Sequence, residues 1–420
     1  METSLWQIQR GVYICIRKAV WFHLYTKRQT SKSPRMEAPI ISSKLPQVGT
    51  TIFTKMSALA AQHQAINLSQ GFPDFQPSKE LINLTAKHMR AGHNQYAPMA
   101  GVLKLREQIA ERTENRYGYA PDPESEVTVT SGATEALFAA ITAVVKEGDE
   151  VIVVEPAYDS YLPAIRLCGG QPVGLPLSFP DYKLDIEMLK RLVNGNTRAI
   201  ILNNPHNPTG TILSREDLEA LDKLLAGNRI FVIADEVWDH LTFDGAKHHS
   251  VLEFENLRNR SFAIFSFGKM LNATGWKLGY CVAPPALTKE FRKVHQYLTF
   301  SSASPLQYGI ADFLATDGDS LDELATFYQQ KRNEFRLLML DTAFRPLSCQ
   351  STYFQLYHYQ GLSEMPDTEF AEHLTIEHGV ATIPVSVFYR NNQDDKVLRF
   401  CFAKETNTLE QAAERLSKVR

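Results

Sequence analysis

Four short stretches of this chain end in groups able to do chemistry on an organic ligand. In SFAIFSFGKMLNATGWKLGY, residues 261–280, an apolar run closes on Lys269, and Lys277 follows eight residues later. A lysine at the end of a buried strand carries a primary amine whose pKa falls on desolvation, and beside other cations it becomes a nucleophile for a carbonyl. In IADEVWDH, Asp235 closes another apolar run. An ionised carboxylate there is costly unless something pairs with it: a buried arginine, a helix start or a protonated ring nitrogen. In NNPHNPTG, Asn203 to Gly210, two prolines and a glycine make a rigid turn that fixes Asn207, whose amide can donate to a ligand oxygen. In SGATEA, Ser131 to Ala136, a glycine precedes a helix start whose free N–H groups and dipole favour a phosphate. Taken singly, each has a plain alternative: a surface lysine, a capping aspartate, a structural turn, a serine cap.

Elements suited to hold these groups lie around them. From about residue 64, apolar runs alternate with helical patterns: EVTVT (126–130), EVIVVEP (150–156), TRAIILNNP (197–205), RIFVIADEV (229–237), SFAIFSFG (261–268) and LGYCVAP (278–284). Short continuous Val/Ile/Phe runs of this kind read as strands buried on both faces, with helices between them, as in an α/β fold. Such sheets place their sites at the carboxyl ends of the strands, where Asn207, Asp235 and Lys269 fall. After KEFRKVHQYLTF the pattern changes to a smaller α+β unit, with strands in TYFQLYHY, GVATIPVSVF and VLRFCFAK and helices in DTEFAEHLTIEHG and TLEQAAERLSKV. The organisation reads as an extension (1–35), a segment packing with the small domain (36–60), a large cofactor-binding domain (61–300), and a connecting helix with a small C-terminal domain (301–420).

Together the four stretches offer a phosphate cradle, a carboxylate for a ring nitrogen, an amide for a ring oxygen and an amine for an aldehyde. Pyridoxal 5′-phosphate carries all four groups. The chain also resembles the class I aminotransferases of pyridoxal-phosphate fold type I, and is similar to the branch holding kynurenine, glutamine and bacterial methionine aminotransferases. LSQGFPDFQP, HNQYAPMAG, SGATEA, NNPHNPTG, ADEV, SFGK, TGWKLGY and LRFCFAK stand in that family's order over residues of about 40 to 420. The resemblance implies a large domain with a mostly parallel seven-stranded sheet between helices, plus a small α+β domain.

It also implies roles. Lys269 would be the Schiff-base lysine and catalytic base, Asp235 the pyridinium partner, and Asn207 a contact to the cofactor's phenolic oxygen. Ala133 and Thr134 through their N–H groups, Ser266 and Lys277 would bind phosphate, and Tyr158 would stack on the ring. Arg399 would grip the substrate carboxylate, Gly71 would let the backbone approach it, and Phe53 and Phe388 would line an apolar side-chain pocket. Tyr96 would reach the phosphate of a neighbouring subunit, so the resemblance implies a homodimer. Two positions depart from the family's pattern. Trp238 replaces a tyrosine whose hydroxyl serves the phenolate, which should make the lysine–cofactor bond titrate at higher pH. Ser351 replaces a glycine. The implied activity is a ping-pong transfer from methionine, another large apolar or aromatic amino acid, or glutamine to a 2-oxo acid. The alternative is a β-lyase acting on cysteine S-conjugates or cystathionine with the same lysine.

Bulk properties agree with a soluble enzyme and narrow the field. The chain has 420 residues, 44% hydrophobic and 22% charged, with a net charge of −3. That balance argues neither for nucleic acid nor for a membrane as partner. Its five cysteines are scattered and lack CxxC spacing, so neither a disulfide framework nor a metal site is expected. In residues 1–35, seven Lys and Arg face the single acid Glu2. This stretch reads either as a transit-type presequence or as an extension ahead of Met36. The expected location is cytoplasmic, with a mitochondrial one left open by that basic stretch. A transcription regulator built on the same fold would need a DNA-binding domain, for which about 35 residues without a helix-turn-helix pattern are too few.

Overall fold

A computed structural model describes residues 41–317 and 321–420. The basic extension, residues 1–35, and the first residues of the 36–60 segment lie outside the described residues. The chain divides after Pro46. Residues 41–46 contain no helix or strand, and every described element lies within Gln47–Arg420.

Thirteen strands are described: β1 (Ile66–Asn67), β2 (Val127–Thr130), β3 (Glu150–Glu155), β4 (Gln171–Pro176), β5 (Thr197–Asn203), β6 (Phe231–Asp235), β7 (Ser261–Ser266), β8 (Gly279–Val282), β9 (Arg345–Pro346), β10 (Phe354–His358), β11 (Val380–Ala381), β12 (Ile383–Pro384) and β13 (Val397–Cys401). Seven form one sheet in the order β2-β8-β7-β6-β5-β3-β4. Only β8 runs against its neighbours; β3, β4, β5, β6 and β7 pair in parallel.

The apolar runs are continuous because both faces of this sheet are covered. Alternate side chains enter two separate cores. Ile152, Ile200, Leu202, Val232, Ala234 and Phe265 pack on one side. Val151, Val153, Ile201, Ile233, Phe262 and Ile264 pack on the other, beneath the helix Ala133–Val144. That helix presents Ala136, Ala139 and Ala140, fully buried, so its backbone sits close to the sheet. One strand is not announced by the sequence: β4, QPVGLP, holds two prolines and a glycine. It lies at the sheet edge, where a missing N–H is tolerated.

The C-terminal strands form a four-stranded sheet in the order β12-β13-β10-β9, all antiparallel, and β1 pairs with β11. A third core gathers Phe354, Tyr357, Leu398, Phe400 and Phe402 with Met56 from the helix Ile52–Gln62. That helix packs on the helix Asp367–Glu377. Trp238, Leu241 and Phe243, which come after β6, also belong to this core. The loop leaving the large sheet is therefore buried in the C-terminal packing. Among the described residues, no helix is long and apolar enough to cross a membrane.

The carboxyl edge of the large sheet is set by register. Asn203 is opposite Asp235, Asp235 opposite Ile264, and Gly279 is opposite both Thr130 and Ser266. Because β8 is antiparallel, its start lies at this edge, and Lys277 arrives there with the ends of β5, β6 and β7. A Cβ on Gly279 would stand 2.6 Å from the Phe265 carbonyl and 2.9 Å from the Ala133 nitrogen, both backbone atoms. Gly279→Ala must therefore push the start of the 133–144 helix away from the sheet. We expect a loss of about 1–3 kcal/mol, read as a lower denaturant midpoint with an unchanged m-value.

Candidate active site

A cavity of about 370 Å³ opens at this edge. Its lining includes Phe53, Gly71, Ala133, Thr134, Tyr158, Asn207, Asp235, Trp238, Ser266, Lys269, Lys277 and Arg399. Twelve of the fourteen residues singled out from the sequence therefore meet in one place. The other two do not line it. Phe388 is buried behind it, 6.0 Å from the Phe53 ring and 5.5 Å from the Arg399 guanidinium. Tyr96 is 83% exposed and meets Phe300 edge-on at 5.3 Å.

Lys269 stands in the short helical turn Phe267–Met270 that follows β7. Its Nζ donates to the Tyr353 hydroxyl at 2.8 Å and to the Gly71 carbonyl at 3.2 Å. The Trp238 ring centroid lies 4.6 Å from the same atom. Burial lowers the pKa of this amine to about 8; the Arg399 and Lys277 cations push the same way, against the Cys401 thiol and Asp235.

Asp235, the last residue of β6, is buried and makes no ion pair within 4.0 Å among the described residues. Its Oδ2 accepts from the Tyr161 hydroxyl at 2.5 Å, and its Oδ1 faces the Val237 N–H at 3.4 Å. Burial pushes its carboxyl up to about 6, while those hydrogen bonds and Lys269 hold it down. At neutral pH it is largely ionised.

Arg399, central in β13, is the cavity's one arginine among the described residues. Its Nη1 donates to Asn207 Oδ1 at 2.9 Å and its Nη2 to the Ser69 carbonyl at 3.2 Å, but its buried Nε has no partner there. The guanidinium lies 3.8 Å from the Phe354 ring centroid and 5.3 Å from that of Phe53. Burial draws its pKa down to about 10, against the Cys401 thiol, the Tyr353 hydroxyl and Asp159. A guanidinium only donates, so Asn207 must turn its oxygen to Arg399. Its NH₂ is left for something else.

At the other end, Gly132 (φ 82°) precedes the 133–144 helix without a side-chain cap, so among the described residues the first-turn N–H groups have no partner. A Cβ on Gly132 would meet Lys277 Cε at 3.3 Å and Nζ at 3.4 Å, so the glycine leaves the ammonium room beside those N–H groups. Lys277 itself adopts φ 51°, turning the chain into β8. Free N–H groups and an ammonium together make a receptor for a dianion. Tyr158 meets Tyr161 edge-on at 5.7 Å.

Sequence reasoning missed Tyr353, Tyr161 and Asn203. Tyr353 stands two residues after the Ser351 departure, and Tyr161 three after Tyr158. Asn203 accepts the Asn207 N–H at 2.8 Å and donates to the Asp235 carbonyl at 3.0 Å, tying two of the predicted groups together. Ser351 is buried, and its hydroxyl donates to the Leu241 carbonyl, which fastens the turn before β10 to the loop after β6.

Known proteins match most of this chain. Residues 63–416 match the family described as aminotransferase class I and II. The chain is 51% identical over 382 residues to a methionine aminotransferase of Escherichia coli K12, covering 91% of this chain and 99% of that one. It is 32% identical to human kynurenine–oxoglutarate transaminase 3, covering 91% of each. Among solved structures, the Escherichia coli YbdL protein, for which a methionine aminotransferase function is described, superposes with TM-score 0.89 at 51% identity, covering 91% of this chain and 100% of that one. The N-succinyldiaminopimelate aminotransferase of Mycobacterium tuberculosis superposes with TM-score 0.87 at 37% identity, with the same coverage.

The part-buried ammonium has a consequence for stability. The folded pKa of Lys269 lies near 8 and its ordinary value is 10.5. Below pH 8 both folded and unfolded states hold the proton, and the charge is desolvated at full cost. Between 8 and 10.5 only the unfolded state holds it, so that cost is relieved as pH rises. Lys269→Met in cofactor-free protein should raise Tm by roughly 1–3 °C at pH 7, with the gap to wild type closing toward pH 10.5. Thermal scans of both proteins across pH 7–10.5 check this.

Proposed function

The chain belongs to the class I and II aminotransferases, and from that membership we propose that it is a pyridoxal 5′-phosphate enzyme moving the amino group of methionine, or of another large apolar or aromatic amino acid or glutamine, to a 2-oxo acid. The observation that carries this reading is one cavity holding Lys269, Asp235 and Arg399, none with an oppositely charged ion-pair partner among the described residues. Unpaired buried charges are costly, and together they outline a ligand with complementary groups.

The residues fit that cofactor. Lys277, Ser266 and the N–H groups of Ala133 and Thr134 would hold the phosphate, Asp235 the ring nitrogen, the Asn207 NH₂ the phenolic oxygen, and Tyr158 a ring face. Bound there, the cofactor would supply the electron sink that lets an amino acid exchange its amino group with a 2-oxo acid. Lys269, with a pKa near 8, is partly neutral at physiological pH, and its Nζ takes the Cα proton and returns it as general base and acid. Arg399 orients the substrate carboxylate, and its unpartnered Nε marks where an acceptor is missing. The Trp238 and Tyr353 rings flank the lysine, their centroids 4.6 and 5.1 Å from Nζ.

Preference for an uncharged side chain follows from the lining. With Arg399 committed to the α-carboxylate, no second arginine among the described residues lines the cavity to meet another acid. Phe53 and Phe354 offer aromatic edges and faces, to which a thioether sulfur binds favourably. β-Elimination is not favoured, since the relatives that span the chain are transaminases. The exposed Tyr96, with Phe300 and Tyr297 also exposed, marks the surface that a second copy would cover in a homodimer, carrying Tyr96 to its neighbour's phosphate.

Spectroscopic assay of holoenzyme with a panel of amino donors tests the reading. Methionine should be converted to its 2-oxo acid, with no thiol or ammonia released. Lys269→Ala should lower kcat by roughly 10³-fold or more, and borohydride should fix the cofactor to Lys269 in wild type. Arg399→Ala should raise KM for the amino acid by about 10²-fold. A Lys269→Ala variant with normal turnover would overturn the proposal.

A further inference from the structure

We propose that Tyr353 is a positioning residue for Lys269: its hydroxyl is the seat of the amine whenever Nζ is not bonded to the cofactor, and it governs how readily that nitrogen carries a proton. The inference rests on the reading of Lys269 as the cofactor-bonding lysine, but it concerns a contact within the chain itself. Nζ lies 2.8 Å from Tyr353 Oη and 3.2 Å from the Gly71 carbonyl, and the Tyr353 hydroxyl donates in turn to that carbonyl. The three groups close a triangle. With its own proton on Gly71, Tyr353 offers lone pairs to the ammonium. When Nζ is neutral, the same O–H can rotate and donate to it. The carbonyl can only accept, so the hydroxyl alone suits both states of a group that must take a proton and give it back.

Its position is built in. Tyr353 is fully buried, edge-on to Trp238 at 4.5 Å and to Phe354 at 5.1 Å, with Tyr328 at 5.7 Å. Its backbone is clamped on both sides. The Phe402 N–H binds the Tyr353 carbonyl at 3.0 Å, the Thr352 N–H reaches the Leu241 carbonyl at 3.3 Å, and the Phe243 N–H binds the Gln350 carbonyl at 2.8 Å. Thr352 holds φ 68°, a left-handed conformation that a threonine adopts only where its surroundings impose it. A hydroxyl fixed this way gives a long, flexible lysine one defined resting place. The Trp238 face at 4.6 Å supports the cation from another side but offers no hydroxyl of its own.

The other groups acting on Nζ come from separate elements: Arg399 and Cys401 in β13, Lys277 ahead of β8, and Asp235 at the end of β6. Arg399 and Lys277 disfavour the charge; Asp235 and Cys401 favour it. Tyr353 is the neutral side chain hydrogen-bonded to Nζ, so its hydroxyl can be removed without altering those charges.

The test is Tyr353→Phe in full-length holoenzyme carrying the cofactor in its amine form, when the lysine is free. The pH dependence of Lys269 acylation, read by mass spectrometry, reports its proton affinity. Losing an acceptor of the ammonium should move the midpoint down by about one unit. The holoenzyme pH profile should shift with it, and kcat should fall about tenfold while KM for the amino acid changes little. Tyr328→Phe, whose hydroxyl binds Asn272 instead at 2.6 Å, is the control for lost packing and should leave the midpoint in place. An unmoved midpoint in Tyr353→Phe, or an equal shift in Tyr328→Phe, overturns the inference. Borohydride capture at Lys269 in wild type keeps the two questions apart: normal capture with an unmoved midpoint sinks only the role of Tyr353, whereas failed capture sinks the transferase reading.

Discussion

Charges drawn wholly or partly out of water without opposite charges beside them are the constraint on which this structure turns. Lys269, Asp235 and Arg399 share one cavity, and burial moves each toward its neutral form. Ionised groups normally avoid such places because their hydration is lost and nothing equivalent replaces it. Here neutral hydrogen-bonding groups replace part of it. Tyr353 and Gly71 serve the ammonium, Tyr161 the carboxylate, and Asn207 and Ser69 the guanidinium. None of them cancels a charge, so the electrostatic demand is left for a ligand to meet.

Holding that arrangement takes two bodies of packing. The large sheet supplies Asp235 and Lys269 from strand ends whose register is fixed by apolar residues on both faces. Arg399 and Tyr353 come from the C-terminal sheet and its entry turn. What joins them is backbone. The 66–71 segment pairs with β11, takes the Cys401 N–H on the Leu68 carbonyl, and delivers Ser69 and Gly71 to the two cations. From the other side, the loop after β6 buries Trp238, Leu241 and Phe243 in the C-terminal core. A shift of either sheet against the other would lengthen the Lys269–Tyr353 and Arg399–Asn207 contacts together.

Much of this was legible in the sequence, for a physical reason. Strands buried on both faces must be apolar throughout, so a charged or amide residue at the end of such a run stands out. Asp235 and Lys269 stand out that way, and Asn207 stands out in the proline-rich turn beyond β5. β4 does not, because an edge strand tolerates prolines and a glycine and so lacks the apolar signal. Tyr353 and Tyr161 are hidden for a different reason: a buried tyrosine in an aromatic-rich stretch looks like core until the partner of its hydroxyl is known. Phe388 was expected in the cavity wall but stands one layer behind, bracing Phe53 and Arg399. Spacing in sequence marks which strand end a residue occupies, but it does not say how deep a neighbouring ring will sit.

Asn207 shows how chemistry alone orients a side-chain amide. The two ends of an amide look alike in shape, but Arg399 can only donate, so the end 2.9 Å from Nη1 must be the oxygen. The Asn207 N–H is already held by Asn203, which fixes the backbone from which the amide projects. Asn207 lines the cavity, where its NH₂ is available. The same side chain thus helps keep the guanidinium in place while offering a donor to whatever lies between Arg399 and Asp235. An aspartate there would pair with Arg399 and neutralise the charge that should await a carboxylate. An alanine would leave a second buried donor of Arg399 without a partner, beside Nε. Only an uncharged group with an acceptor at one end and a donor at the other keeps the arginine ordered and still free to bind.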